Sequence, residues 1–132
     1  MRGPLFSCKR GEELSMNHGI EDVSDENYEQ LIHSPAAVVV YGIASCEPCA
    51  AYDPILARIA HAFPHVRIGK AKMHIPGRCR EIKRRHQFTT YPTTHFFSQG
   101  RLLHACDGKL EEHELAALIT QYLPPSPDTL QE

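Results

Sequence analysis

The chain has 132 residues, 42% of them hydrophobic and 23% charged, an ordinary globular mixture that excludes a wholly disordered polymer. That length suits one domain burying roughly two-thirds of its unfolded surface, so size alone demands no metal or disulfide staple. Fourteen Lys and Arg against sixteen Asp and Glu leave a net charge of −2, which gives no ground for nucleic acid or an anionic membrane as the main partner.

Residues 1–17 are polar, carry Gly3, Pro4 and Gly11 and show no periodicity, so they read as a flexible leader with Met16 as an alternative start. No secretion signal is legible there, because an acidic pair, Glu12-Glu13, falls where the apolar stretch belongs. No apolar run approaches the ~18 residues of a spanning helix. The expected address is cytoplasmic.

Gly19 to Val23 reads as a short strand. Ser24 to Asn27 offers a helix start, and Tyr28, Leu31 and Ile32 follow at i, i+3, i+4 until Pro35. Ala36 to Ile43 is a continuous run rich in β-branched residues, the mark of a strand covered on both faces. Cys46-Glu47-Pro48-Cys49 comes next, and Ala50 to Phe63 is helical with Tyr52, Ile55, Leu56, Ile59 and Ala60 inward. His65 to Met73 alternates as a strand, and Arg78 to His86 is a short basic helix. Thr93 to Ser98, the turn Gln99-Gly100 and Arg101 to Ala105 form a hairpin. Glu111 to Leu123 closes the domain as an amphipathic helix, and residues 124–132 are a Pro-rich tail. A domain over 18–123 with the order β-α-β-α-β-α-β-β-α follows, an α/β sandwich around a mixed sheet.

There are five cysteines, Cys8, Cys46, Cys49, Cys79 and Cys106, an odd count at irregular spacing that argues against a structural disulfide framework. Only Cys46 and Cys49 form a unit. A lone C-x-x-C is either half a zinc site or a dithiol redox pair. Four-ligand zinc wants a second pair, and among nine scattered histidines only His61 and His65 stand at helical spacing. The placement of the pair, where a buried strand turns into a helix, bears on the choice.

Several landmarks occur in order: the strand running into Cys46-x-x-Cys49 and a helix, Pro54 five residues beyond, Tyr91-Pro92-Thr93 before a hairpin, and Gly108 after it. This set resembles the thioredoxin family over about Gly19 to Leu123. The resemblance implies the thioredoxin fold, a central mixed β-sheet sandwiched between helices. It further implies a cis peptide before Pro92 and a strand-ending lysine at Lys72. The implied activity is thiol–disulfide exchange in cell redox homeostasis, chiefly protein-disulfide reduction, in which Cys46 attacks and Cys49 resolves. Tyr91, Pro92 and Thr93 would present backbone to the partner. Disulfide-containing proteins would be the substrates, a thioredoxin reductase or similar dithiol donor the electron source, and a monomer the acting form. No metal and no cofactor beyond the Cys46–Cys49 dithiol is implied.

The thiolate is the reactive species, and helix-start N–H groups stabilise an anion, so Cys46 is expected to ionise readily. An ordinary thiol of pKa ~8.5 is only ~3% ionised at pH 7. Half ionisation multiplies thiolate roughly fifteenfold, yet reduced nucleophilicity cuts the net gain to ~3-fold. Positioning of the partner disulfide has to supply most of the rest. Pro48 stiffens the first turn, and Glu47 opposes a second anion, which points towards a reductant.

Three positions depart from the family pattern. Ser45 replaces the tryptophan before the first cysteine, Val40 replaces a buried carboxylate, and Glu47-Pro48 stands where Gly-Pro is usual. With Val40 in place, deprotonation of Cys49 is left to water, Lys72 or Glu47. Two other readings stay open: a thioredoxin-fold binding or chaperone-like subunit with a vestigial dithiol, and an Fe–S or zinc carrier using the pair across a dimer. Tyr41 reads as core, Cys79 as a surface thiol, a regulatory one or a second resolving cysteine, and Cys106 as structural. The cluster Arg78, Arg80, Lys83, Arg84 and Arg85 is either a solvated face or a docking patch for an acidic partner.

Overall fold

The structure is a computed structural model that describes residues 19–125. The expected leader, and the tail beyond Pro125, lie outside the described residues. In chain order the elements are β1 (Ile20–Val23), α1 (Tyr28–Ile32), β2 (Ala37–Gly42), α2 (Glu47–Ala62), β3 (Arg67–Lys72), α3 (Arg80–Arg85), β4 (Thr93–Ser98), β5 (Arg101–Asp107) and α4 (Glu112–Tyr122). This is the expected order. One five-stranded sheet runs β1-β3-β2-β4-β5. β1, β3 and β2 are mutually parallel, and β4 and β5 add on antiparallel, so the sheet is mixed.

The unbroken apolar run of β2 is explained by its central place, for every residue of the strand is buried. Val38 and Val40 join Tyr52, Leu56 and Ile59 of α2 and Leu115 and Ile119 of α4 in one cluster. Ala37, Val39 and Tyr41 point the other way, into a second cluster with Tyr28, Leu31 and Ile32 of α1 and Ile82 of α3. Two-residue periodicity thus turns one strand into the floor of two cores. A buried hydroxyl pair, Tyr52 Oη to Thr94 Oγ1 at 2.8 Å, ties α2 across to β4.

The hairpin β4–β5 turns at Gln99 and Gly100, both with positive φ (54° and 85°), which matches the right-handed twist of the strands it joins. α1 begins at Tyr28 rather than at Ser24. Asn27 Oδ1 accepts from the Ser24 N–H at 2.8 Å, so residues 24–27 close a turn before the helix starts. β5 runs two residues beyond expectation because Cys106 and Asp107 pair with Thr94 and Thr93. Cys79 corrects the surface reading: it is 2% exposed and stands at the N-cap position of α3 inside the second core, with no side-chain capping hydrogen bond.

Gly69 of β3 sits where α1 crosses the sheet, and a Cβ there would overlap Val23 Cγ2 and Leu31 Cδ2. Gly69→Ala is expected to cost about 1–3 kcal/mol through overpacking. At about 4 °C per kcal/mol for a chain of this size, thermal unfolding followed by circular dichroism reads the loss as a lowered midpoint.

Candidate active site

β2 ends at Gly42, and the chain turns back through Ile43, Ala44 and Ser45 into α2. Ser45 has φ 56°, in the left-handed region that few side chains occupy, which reverses the chain just ahead of Cys46. Cys46 is the N-cap of α2, and the Cys49 N–H donates to its sulfur at 3.2 Å. This is the capping geometry that Ser or Asp normally supplies, with sulfur as the acceptor. The two cysteines form a disulfide with their Cα atoms 5.2 Å apart. Cys46 is half-buried, whereas Cys49 is 5% exposed, so the pair has an outer and an inner sulfur.

The second wall is the turn into β4. The Tyr91–Pro92 peptide is cis, and the Tyr91 carbonyl oxygen lies 3.8 Å from Cys46 Sγ. The Thr93 hydroxyl donates to the Thr90 carbonyl at 2.6 Å, and the Gly108 N–H donates to the Pro92 carbonyl at 2.7 Å. Both contacts pin this turn from within. Gly108, at φ 88°, is the glycine the sequence singled out after the hairpin.

Beside the pair is a cavity of about 520 Å³ whose lining includes Gly42, Cys46, Cys49, Asp53, Lys70 and Lys72. Glu47 and Pro48 are exposed in the first turn of α2, and Lys72 closes β3 on the cavity rim. Sequence reasoning missed two of these groups. Asp53 Oδ1 accepts from Lys70 Nζ at 2.6 Å. The i, i+4 spacing of Asp53 from Cys49 was a readable signal. The place of Lys70, opposite Val40 in the β2–β3 register, needed the strand pairing.

Beneath Tyr91 lies a polar cluster inside an aromatic core. Tyr91 stacks on Phe88, and Phe88 on His95. The Tyr41 hydroxyl meets the Tyr28 hydroxyl at 2.8 Å and His95 Nδ1 at 3.1 Å, and Tyr28 Oη reaches His86 Nε2 at 2.9 Å. Burial pushes the Tyr41 phenol far up and lowers His95 to about 4, with His86 adding repulsion. Tyr41 has no exposed surface and is core, as expected, whereas Tyr91 is half-buried and offers aromatic area beside Cys46. His61 and His65 are not a ligand pair: His61 is exposed and His65 Nε2 bonds to the Leu123 carbonyl at 2.8 Å. Burial raises the Cys79 and Cys106 thiols above their ordinary value, which makes them poorer nucleophiles at neutral pH.

A strand-to-helix corner holding a cysteine pair, one sulfur outward and one inward, faced by a cis-proline turn, defines a thiol–disulfide oxidoreductase of the thioredoxin fold. The thioredoxin family model matches residues 19–121, and the chain belongs to that family. Thioredoxin from Chlamydia pneumoniae is 27% identical over 103 residues, covering 78% of this chain and 98% of that protein. Its counterpart from Chlamydia trachomatis is 26% identical over the same shares. Among solved structures, thioredoxin f2 from Chlamydomonas reinhardtii has a TM-score of 0.71 at 21% identity, over 82% of this chain and all of that one. A mutant thioredoxin from Halobacterium salinarum has a TM-score of 0.73 at 16% identity, over 86% and 99%. Proteins of this family exchange thiols for disulfides with the dithiol itself as the redox group. No helix among the described residues is long and apolar enough to cross a membrane.

The His95 environment sets a pH response. Its native pKa of about 4 lies below the ordinary 6.5, so between those values the unfolded chain binds a proton that the native chain does not. Stability is therefore expected to fall as pH drops from 6.5 towards 4, and His95→Gln should flatten that slope. Urea midpoints measured at intervals from pH 7.5 to 4.5 check both.

Proposed function

We propose that the chain is a protein-disulfide reductase in which Cys46 attacks and Cys49 resolves. The observation that carries this reading is the asymmetry of the pair: the accessible sulfur is the one capped by the Cys49 N–H, and the inner sulfur is bonded behind it. A Cys46 thiolate at this corner is stabilised by the helix-start amides. It attacks one sulfur of a partner disulfide, the partner's S–S bond breaks, and the departing sulfur leaves with the electron pair. Cys49 then attacks Cys46 Sγ, the mixed disulfide breaks, and the partner leaves reduced while Cys46–Cys49 is oxidised. Tyr91 places its carbonyl beside the reacting sulfur, so a partner strand pairing with residues 91–93 would bring its own disulfide alongside. Ser45 sets the reversal that exposes Cys46, Pro48 stiffens the first turn, and Glu47 disfavours a second anion there. Lys72 lends a positive charge at the rim. Electrons to reset the pair would come from a thioredoxin reductase or similar dithiol donor, with the protein working as a monomer in a reducing compartment such as the cytoplasm.

The face around the pair suggests which proteins it reduces. Arg67, Lys70, Arg78, Arg84 and Arg85 are each bound to a carboxylate. Lys72, Arg80 and Lys83 have no such partner among the described residues. Adjoining hollows connect them: His74 lines both the cavity at Cys46 and the next, with Arg80 and Lys83, and Lys83 borders Tyr91 in a third. A disulfide flanked by acidic residues complements this belt.

Insulin reduction driven by dithiothreitol should run well above background with the native chain and stop with Cys46→Ser. Cys49→Ser should hold disulfide proteins as stable adducts at Cys46. A native rate no higher than background would return the chain to the binding-subunit reading. With matched peptide disulfides, acidic flanks should raise the rate about 3- to 10-fold at low salt, and the advantage should shrink as ionic strength approaches ~1 M. Lys83→Glu should abolish that preference without slowing a neutral peptide.

A further inference from the structure

The resolving step needs a proton acceptor. Cys49 is 5% exposed, and burial favours the neutral thiol over the thiolate that must attack. The strand beneath it offers no base, because Val40 is 1% exposed and packed in the core. Lys70 and Lys72 are cations at neutral pH and cannot serve as acceptors. Glu47 lies two residues before Cys49, a spacing that puts it on another face of α2.

Asp53 has the required position. It follows Cys49 by four residues, so the two side chains share a helix face with Cβ atoms about 5–6 Å apart. Both line the cavity beside the disulfide. Lys70 reaches in from β3 and donates to Asp53 Oδ1 at 2.6 Å, fixing the carboxylate on that side. Gly42 keeps the inner sulfur open to the pair: a Cβ there would stand 3.3 Å from Cys49 Sγ and 4.0 Å from Lys70 Cε. Glu47, Lys72 and His74 line the same cavity. Glu21 and Asp22 of β1 border the hollow of about 300 Å³ on the far side, each engaged by an arginine, Arg67 and Arg78.

We propose that Asp53, held by Lys70, accepts the Cys49 proton through water in this cavity and so drives release of the reduced partner. The inference rests on the reading of Cys46 as the attacking sulfur. In the mixed disulfide, the Cys49 S–H bond breaks and its proton passes to the Asp53 carboxylate. The Cys49 thiolate forms the bond to Cys46 Sγ, and the bond from Cys46 to the partner breaks. The partner sulfur leaves with the electron pair and is protonated from solvent, while Asp53 returns its proton there.

The experiment is a stopped-flow reaction of the reduced full chain, carrying Cys8→Ser and Cys106→Ser, with excess aromatic disulfide whose released thiolate absorbs visible light. Attack by Cys46 gives a first release that scales with reagent, and resolution by Cys49 gives a second that does not. Asp53→Asn should leave the first phase and the unfolding midpoint unchanged and slow the second about 10- to 100-fold at pH 7. The deficit should close as pH rises through the range where Cys49 ionises unaided, and Asp53→Glu should restore most of the rate. An unchanged second phase, equal slowing of both phases, or a deficit that ignores pH would each overturn the role of Asp53 alone. A missing first phase in the parent chain would remove the reading of Cys46 and this inference together.

Discussion

One amide donating to one sulfur, the Cys49 N–H on Cys46 Sγ, anchors the corner on which the rest of the structure converges. A helix start has N–H groups without intrahelical acceptors, and a side chain at the N-cap must answer them. Here the answer is sulfur, a weak acceptor when neutral and a strong one when charged. The fold therefore gains more from the thiolate than from the thiol. The same hydrogen bond that completes the helix favours the charged form of its capping sulfur.

Everything else serves to deliver that corner. β2 must end at a fixed height above two cores, which is why its residues alternate between the α2–α4 cluster and the α1–α3 cluster with none left exposed. Ser45 then reverses the chain in a conformation that costs a side chain roughly 1–2 kcal/mol, tolerable because the flanking strand and helix are both anchored. The cis-proline turn is held from below by the stack of Tyr91, Phe88 and His95. Packing in the second core is thereby linked to the position of the carbonyl that faces Cys46. Burial disfavours charge on the tyrosine–histidine network at neutral pH, so it fixes geometry in that core without adding a charge.

Much of this was legible in residue order. The apolar run at 37–42, the helical stripe through Tyr52, Ile55, Leu56 and Ile59, and the turn at Gln99-Gly100 are local signals, and local physics decides them. The family landmarks placed Cys46, Cys49 and Pro92 because spacing along the chain is itself the signature. What stayed hidden depends on pairing across the sheet. Lys70 meets the cavity because it sits opposite Val40 on a parallel neighbour, and parallel register is set by packing rather than by any turn between the strands. By sequence Cys79 stands at the start of a short basic helix, and nothing local marks it as buried. In fact the α3 N-terminus dips into the core, where the Cys79 sulfur approaches the Val23 carbonyl.

Val40 and Asp53 together describe a choice about where to keep a negative charge. A carboxylate within the first core would have to shed its water beside an apolar cluster, at a penalty of several kcal/mol unless fully paired. A valine in the same place contributes about 1.5–3 kcal/mol of favourable burial. A carboxylate on the cavity wall, half-exposed and matched to Lys70, avoids most of the desolvation while remaining one helical turn from Cys49. The electrostatic reach of such a group is weaker, because solvent screens it. Under the proposed relay, this arrangement trades strength of proton coupling for stability of the sheet. A Cβ at Gly42 would crowd the inner sulfur, standing 3.3 Å from Cys49 Sγ, so the end of β2 leaves room beside that atom.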